Sequence, residues 1–220
     1  MVEKGLTLLS LACSLVGLFT LYAGALLIRP SAMEIASVNE EFVGKKISVS
    51  GEIISSYEHS DGHLFLKIKD NSGGVITVPI FSKLRSQLEE QIELLDILQV
   101  VGKIQKYKNE IEIIPEKIED LTIIHTAPTN FSRLTADDAG ILVKVEGKIQ
   151  KLDKAGKGKI ITLQENGAAL SVFMPYEATK GLPELCVGDK IRVCGWLQIY
   201  DQKLELVVKE PSHLRIIGAN

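Results

Sequence analysis

The sequence predicts a mainly β chain: two tandem five-stranded barrels, each with a short helix between its third and fourth strands, preceded by one transmembrane helix. Three observations carry this expectation. The chain from Val38 to Ile124 is written a second time from Leu134 to Ile217. Within each copy, apolar and polar residues alternate with the period of a half-buried strand. Ahead of both, Gly5–Ile28 holds no charged residue for 24 positions.

The duplication is nearly gapless at its ends. Val38–Ile53 lies over Leu134–Ile149, so Gly44 meets Gly140 and Gly51 meets Gly147, and Tyr107–Ile124 lies over Tyr200–Ile217. A period of roughly ninety-five residues exceeds the 20–50 of solenoid repeats and suits a small domain. The expected organisation is an anchor over residues 1–33, a first domain over 34–125, a linker over 126–133 and a second domain over 134–220.

The uncharged stretch, as an α-helix, is long enough to cross a hydrocarbon core of about 30 Å with some tilt. Tyr22 lies near one end and Arg29-Pro30 stops the run, as an interfacial boundary should. A cleaved signal peptide is the rival reading, since Ala23-Gly24-Ala25 resembles a cleavage site, but apolar residues continue beyond it to Ile28. The expectation is a single-pass membrane protein held through residues 5–28. Lys4 flanks one side and Arg29, Lys45 and Lys46 the other, a slight lean toward barrels on the cytoplasmic side. If Lys190–Ile199 is a strand, Cys186 and Cys194 are separated by most of its length, too far for a disulfide without a sharp bend, and both read as small buried residues.

In the first copy, Ile47, Val49, Gly51 and Ile53 alternate with polar neighbours, and Val143, Val145, Gly147 and Ile149 repeat the pattern. The shared glycine implies a bend or bulge in a curled strand. Second strands are expected at His63–Lys69 and Lys159–Gln164, followed by turns at Asp70–Gly74 and Glu165–Gly167. Third strands follow at Val75–Phe81 and Ala169–Met174. Ser82–Leu95 reads as an amphipathic helix with Ser82 as N-cap and Leu84, Leu88, Ile92 and Leu95 on one face. Its counterpart, Tyr176–Leu185, is broken by Gly181 and Pro183. Fourth strands are Ile97–Gln105 and Lys190–Ile199; fifth strands are Glu110–Ile114 and Lys203–Val208.

The order β-β-β-α-β-β fits a five-stranded Greek-key OB barrel. Gly188-Asp189-Lys190-Ile191-Arg192-Val193-Cys194-Gly195-Trp196-Leu197, followed by Tyr200 and Leu204-Glu205-Leu206, is similar to the fourth-to-fifth-strand signature of OB folds of the tRNA-anticodon and helicase type. Gly140–Ile149 resembles that family's first strand. The first copy keeps Asp96, Gly102 and Tyr107 in place, with Leu95 where the turn glycine stands. The resemblance spans Val38 to Ile217 and implies a nucleic-acid-binding module, its ligand face on strands two and three flanked by the one-two and four-five loops.

On that face, Leu64, Leu66 and Ile68 should point inward and leave Phe65, Lys67 and Lys69 outside. A ring to stack a base beside cations for phosphates suits a single strand, and the four-five loop adds Lys106, Tyr107 and Lys108. In the second copy Lys144, Lys148, Lys151, Lys154, Lys157 and Lys159 form a basic run around a glycine-bearing loop, with Tyr200 and Lys203 across from it. Each group also has a plainer reading as a solvated strand face or hairpin. Aromatic content of 5% and a net charge of −3 argue against a high-capacity single-strand binder. The first copy is acidic, with 10 Lys/Arg against 16 Asp/Glu over residues 34–125, which marks it as a candidate docking surface for a protein partner.

Other chemistry lacks support. Gly156-Lys157-Gly158-Lys159 has neither the spacing nor the hydroxyl of a phosphate-binding loop. His59 and His63 bracket a turn with no third ligand, and no catalytic triad pattern stands out. Trp196 is expected to pack in the barrel or between domains. The membrane-anchored haem chaperone of cytochrome c maturation resembles this layout, but it has one barrel and a His-x-x-x-Tyr tail; here His213 is followed by Leu-Arg-Ile-Ile. The expectation is a membrane-anchored, non-catalytic tandem OB protein binding single-stranded DNA or RNA, with no cofactor and no metal. The alternative is a membrane-tethered scaffold that docks a protein.

Overall fold

The computed structural model describes residues 2–27 and 32–218. The chain divides into two units, Met1–Ala32 and Met33–Asn220. The first holds helix α1 (Val2–Leu27), which covers most of the uncharged stretch. Among the described residues no helix is long and apolar enough to cross a membrane, and residues 28–30, the expected end of the anchor, lie outside them. The transmembrane assignment therefore rests on the sequence alone.

The second unit contains two barrels of the same topology. Strands β1 (Lys46–Glu58), β2 (Leu64–Lys69), β3 (Val75–Ile80), β4 (Ile97–Tyr107), β5 (Glu110–Ile114) and β6 (Leu121–Ile124) form one sheet in the order β1-β2-β3-β5-β4-β6. Strand β4 also pairs with β1 and closes the barrel, and β3 meets β5 in parallel. The second sheet repeats this with β7 (Leu142–Ala155), β8 (Gly158–Glu165), β9 (Ala168–Met174), β10 (Lys190–Tyr200), β11 (Lys203–Val207) and β12 (Leu214–Gly218). Inward residues such as Val49, Ile53, Leu66, Ile68, Val78 and Leu98 are fully buried, as are Val145, Leu163, Val172 and Val193 in the second core. Burial of each such side chain stabilises the fold by about 2 kcal/mol.

Each sheet has six strands rather than the five expected. The reason lies in how β4 is used. Along β4, strand β5 covers only Lys103–Tyr107, leaving the edge of Ile97–Val100 open, and β6 returns to fill it. The Asp120 carboxylate turns the chain back by accepting the N–H groups of Glu116 and Lys117. Strand β12 fills the matching edge of β10 at Lys190–Val193. Buried strand edges need such partners.

The helix expected over Ser82–Leu95 is a correction. Only α2 (Ser82–Arg85) forms, with Phe81 rather than Ser82 as its N-cap. The rest of the segment is captured by tertiary contacts. Leu95 N–H donates to the Ile53 carbonyl, Ile53 N–H to the Asp96 carbonyl, and Glu93 N–H to the Asp96 carboxylate. Leu95 sits at φ +68, where the second barrel has Gly188 at φ +100. A continuous helix cannot meet those bonds. Leu84 and Leu94 still bury, with Leu88 and Ile92 packed against the core. In the second barrel the distorted segment is reduced to α3 (Tyr176–Thr179).

A buried ionic cluster joins the barrels. Lys144, 1% exposed, places its ammonium 2.5 Å from Asp96 Oδ1 and 3.3 Å from Glu93 Oε2. His125 Nδ1 lies 2.8 Å from Asp96 Oδ2, and Thr126 N–H donates to Oδ1. Arg192 bridges Glu93 at 3.2 Å to Glu146, which also takes Lys190 at 3.0 Å. Burial alone would raise the Asp96 carboxyl, but hydrogen bonds from Lys144, His125 and Thr126 reverse this and hold it below the usual carboxylate range. Around the cluster, Cys194, Leu142 and Trp196 of the second barrel pack on the first barrel's core. Trp196 thus takes its expected packing role. Cys194 is buried, its thiol pushed up to about 12 by burial, whereas Cys186 is exposed, contrary to expectation.

Candidate nucleic-acid interface

The site begins with a bulge. Strand β1 pairs Ile53 with Ile68 but Ser55 with Lys67, so Ile54 is an extra residue. Up to Ile53 the odd-numbered positions face inward; beyond the bulge they face outward. Tyr57 consequently lands opposite Phe65 on the outer face, ring centroids 6.4 Å apart and tilted by 34°. Gly51 assists just upstream: a Cβ there would lie 2.9 Å from the Lys69 carbonyl, so β1 crosses β2 closer than any other residue allows. The expected bend at this glycine is a close approach, and the bulge falls three residues later.

From the other side comes the β4–β5 turn. Lys108 and Asn109 adopt φ +44 and +71, the two left-handed positions of a tight hairpin turn. This turn holds Tyr107 over the sheet, with Lys108 Nζ 5.3 Å from its ring centroid. Together these elements line a groove of about 350 Å³ by Tyr57, Phe65, Tyr107, Lys67 and Lys108, with Glu110 and Glu112 on the β5 side. Tyr57 and Tyr107 are each more than half exposed. Glu112 is buried and accepts from Gln105 Nε2 at 3.2 Å. The groove offers three aromatic faces, two cations and carboxylate acceptors: surfaces for stacking a base, contacting a phosphate and reading a base edge.

Of the residues expected in the first barrel, Phe65, Lys67, Tyr107 and Lys108 meet in this groove. Lys69 shares their outer face further along β2, exposed and paired in register with Val75. Lys106 does not join them. Strand alternation turns it the opposite way from Tyr107, and its ammonium lies 2.7 Å from Glu40. Tyr57 is the aromatic residue of the groove that the sequence reading missed. Its only signal would have been the bulge, and uninterrupted alternation from Ile53 would put Tyr57 inside.

In the second barrel the lysines separate. Lys144 is not part of any basic face; it is the buried centre of the inter-barrel cluster. An equivalent bulge at Gln150 puts Lys151 and Asp153 outward, and they pair at 2.8 Å. Lys154 and Lys159 face each other on the opposite side of the β7–β8 hairpin, and Lys157 occupies its turn. Tyr200 is exposed beside Lys203 across the β10–β11 turn. The positions matching Tyr57 and Phe65 are Asp153 and Ile160, so the second barrel lacks the aromatic pair. Among the described residues no group of His, Cys, Asp and Glu could hold a metal ion.

Parts of this chain are similar to known proteins. Residues 47–121, from the second residue of β1 to the first of β6, match the OB-fold nucleic acid binding domain family, tRNA_anti-codon. Among solved structures, asparaginyl-tRNA synthetase from Pyrococcus horikoshii in complex with asparaginyl-adenylate is similar to 44% of this chain at 13% identity, TM-score 0.38. This chain covers only 23% of that synthetase. An OBody bound to hen egg-white lysozyme matches 44% of the chain over 99% of its own length, at 24% identity and TM-score 0.35. The tetrameric p202 HIN2 matches 80% of the chain over 93% of its own length, at 12% identity and TM-score 0.45. No curated protein matches the sequence.

Proposed function

We propose that this protein binds single-stranded DNA or RNA in the groove of its first barrel, without catalysing a reaction, and is tethered to a membrane by its N-terminal segment. The observation that carries the reading is the convergence of Tyr57, Phe65 and Tyr107 with Lys67 and Lys108 on one open sheet face. Stacking on aromatic rings contributes about 1–3 kcal/mol per base and tolerates any base. The family matched by residues 47–121 supports the same ligand class. The tether is supported by the 24 uncharged positions of Gly5–Ile28.

Fluorescence anisotropy with labelled single-stranded oligonucleotides, across a salt series, tests the reading. Binding should weaken with salt through Lys67 and Lys108. Tyr57→Ala with Phe65→Ala should weaken it by about 10-fold or more. No binding at low salt would reject the proposal. The acidity of residues 34–125 favours the second reading, a tethered scaffold docking a basic protein. Crosslinking that recovers a stoichiometric partner unaffected by nuclease would decide for it. Carbonate-resistant sedimentation with membranes tests the tether; release into the supernatant would reject it.

A further inference from the structure

The aromatic groove does not end at Lys67. A second cavity of about 390 Å³ adjoins it, lined by Ile35, Val38, Val75, Ile76 and Ile111, and the two share Lys67, Thr77 and Glu110. It opens just beyond one end of the barrel's parallel seam, where β3 and β5 are in register at Thr77 and Glu112 but Val75 and Glu110 are not paired. The outer wall is a strap, the 3-10 turn Ile35–Ser37, and it is firmly fixed. Ile35 N–H donates to Asp70 Oδ2 at 2.7 Å and Ala36 N–H to Ser72 Oγ at 3.2 Å. Gly74 lets the strap lie flat, since a Cβ there would sit 2.3 Å from Ala36 N.

Resting on the nucleic-acid reading above, we infer that this cavity is a second base subsite, so that the first barrel takes two consecutive nucleotides, with Lys67 at the phosphate between them. Each cavity is at the small end of ligand sites, about 300 Å³, which suits one nucleotide. The aromatic cluster supplies the face for one base; Val38, Val75 and Ile111 supply an apolar wall for the next. Lys67 is the one cation common to both cavities. The strap bounds the channel at one end and the Tyr107-Lys108 turn at the other, so the footprint stops at two.

The test uses the full chain and octamers of fixed phosphate number that carry one, two, three or four adjacent thymines, the other positions being abasic. Affinity should rise about tenfold from one base to two, then stay level within about twofold through four. Val75 is half exposed on β3, so Val75→Trp fills the second cavity without entering the core. In V75W the two-base octamer should bind no better than the one-base octamer. A continued rise at the third and fourth base, no gain at the second, or an undiminished gain in V75W would overturn the second subsite while leaving the aromatic groove in place. Binding of no octamer would remove both.

Discussion

His213 is buried with neither ring nitrogen hydrogen-bonded among the described residues, and Trp196 lies 6.0 Å from it, centroid to centroid. Burial, with the charge of Lys209 adding to it, pushes the imidazole down to about 4. The unfolded chain therefore binds a proton near pH 6.5 that the folded chain refuses until about pH 4. Stability from this residue is complete above about pH 6.5 and declines by about 1.4 kcal/mol per unit as pH falls toward 4. His213→Phe should flatten the slope of unfolding free energy against pH in that window; an unchanged slope would show that other groups set it. Leu95 offers a second single-residue test. It occupies the left-handed region at φ +68, where a side chain costs about 1 kcal/mol. Replacement by glycine removes that strain, while alanine keeps it and loses the same packing. Chemical denaturation should therefore rank Leu95→Gly above Leu95→Ala, the reverse of the order in ordinary strand or helix positions.

At the scale of elements, the register of β1 on β2 beyond Ile53 is the feature on which the groove depends, because it sets which residues face outward. Inserting one serine between Ser56 and Tyr57 leaves the pairing through Ser56 in place and moves Tyr57 one position on, to the inward side. The expected result is loss of at least about tenfold in single-strand affinity, while Lys67, Lys69 and Tyr107 stay in place. Deleting Ile54 is the contrasting change. It removes the bulge but keeps Ser55 opposite Lys67 and Tyr57 opposite Phe65, so affinity should stay within about threefold. Retained affinity in the insertion would mean that Tyr57 has no part in binding. The strands themselves were legible from alternation: β5 matches its expected bounds, and Leu64, Leu66 and Ile68 face inward as read. Two elements were not. Ser82–Leu95 has a helical stripe, but the stripe cannot report that Asp96 and Ile53 capture its end. The sixth strand was hidden for a different reason. Leu121–Ile124 and Leu214–Gly218 lie largely inside the repeat, yet only the short pairing of β5 along β4 exposes an edge for them to fill.

For the whole molecule, the Lys144 cluster makes one unit of two barrels. Removing one member of a buried ion pair leaves an uncompensated charge and costs about 3–5 kcal/mol. Lys144→Met should destabilise by that amount, and combination with Asp96→Asn should cost less than the sum of the two changes, as measured by thermal or urea unfolding. Additive effects would show that the two residues do not act together. The carboxylate's share is present above about pH 4 and is lost as pH falls through its lowered value, an acid limb separate from that of His213. The same lysine shows where charge counting fails. Within the sequence it belongs to a basic run with Lys148 and Lys151, and only the packing of barrel on barrel buries it against Asp96, a residue 48 positions earlier.

Local pattern carried the duplication, the strand order, the barrel class and half of the groove, because alternation and turn chemistry are properties of adjacent residues. Phe65, Lys67, Tyr107 and Lys108 needed nothing more. Tertiary structure decided the rest: Tyr57 through a one-residue bulge, Lys144 through partners far away in the chain, and the second cavity through the strap that Asp70 and Ser72 hold against the barrel. A charge or a ring acquires its direction only when register and packing are set, and both are properties of residues that meet across the fold.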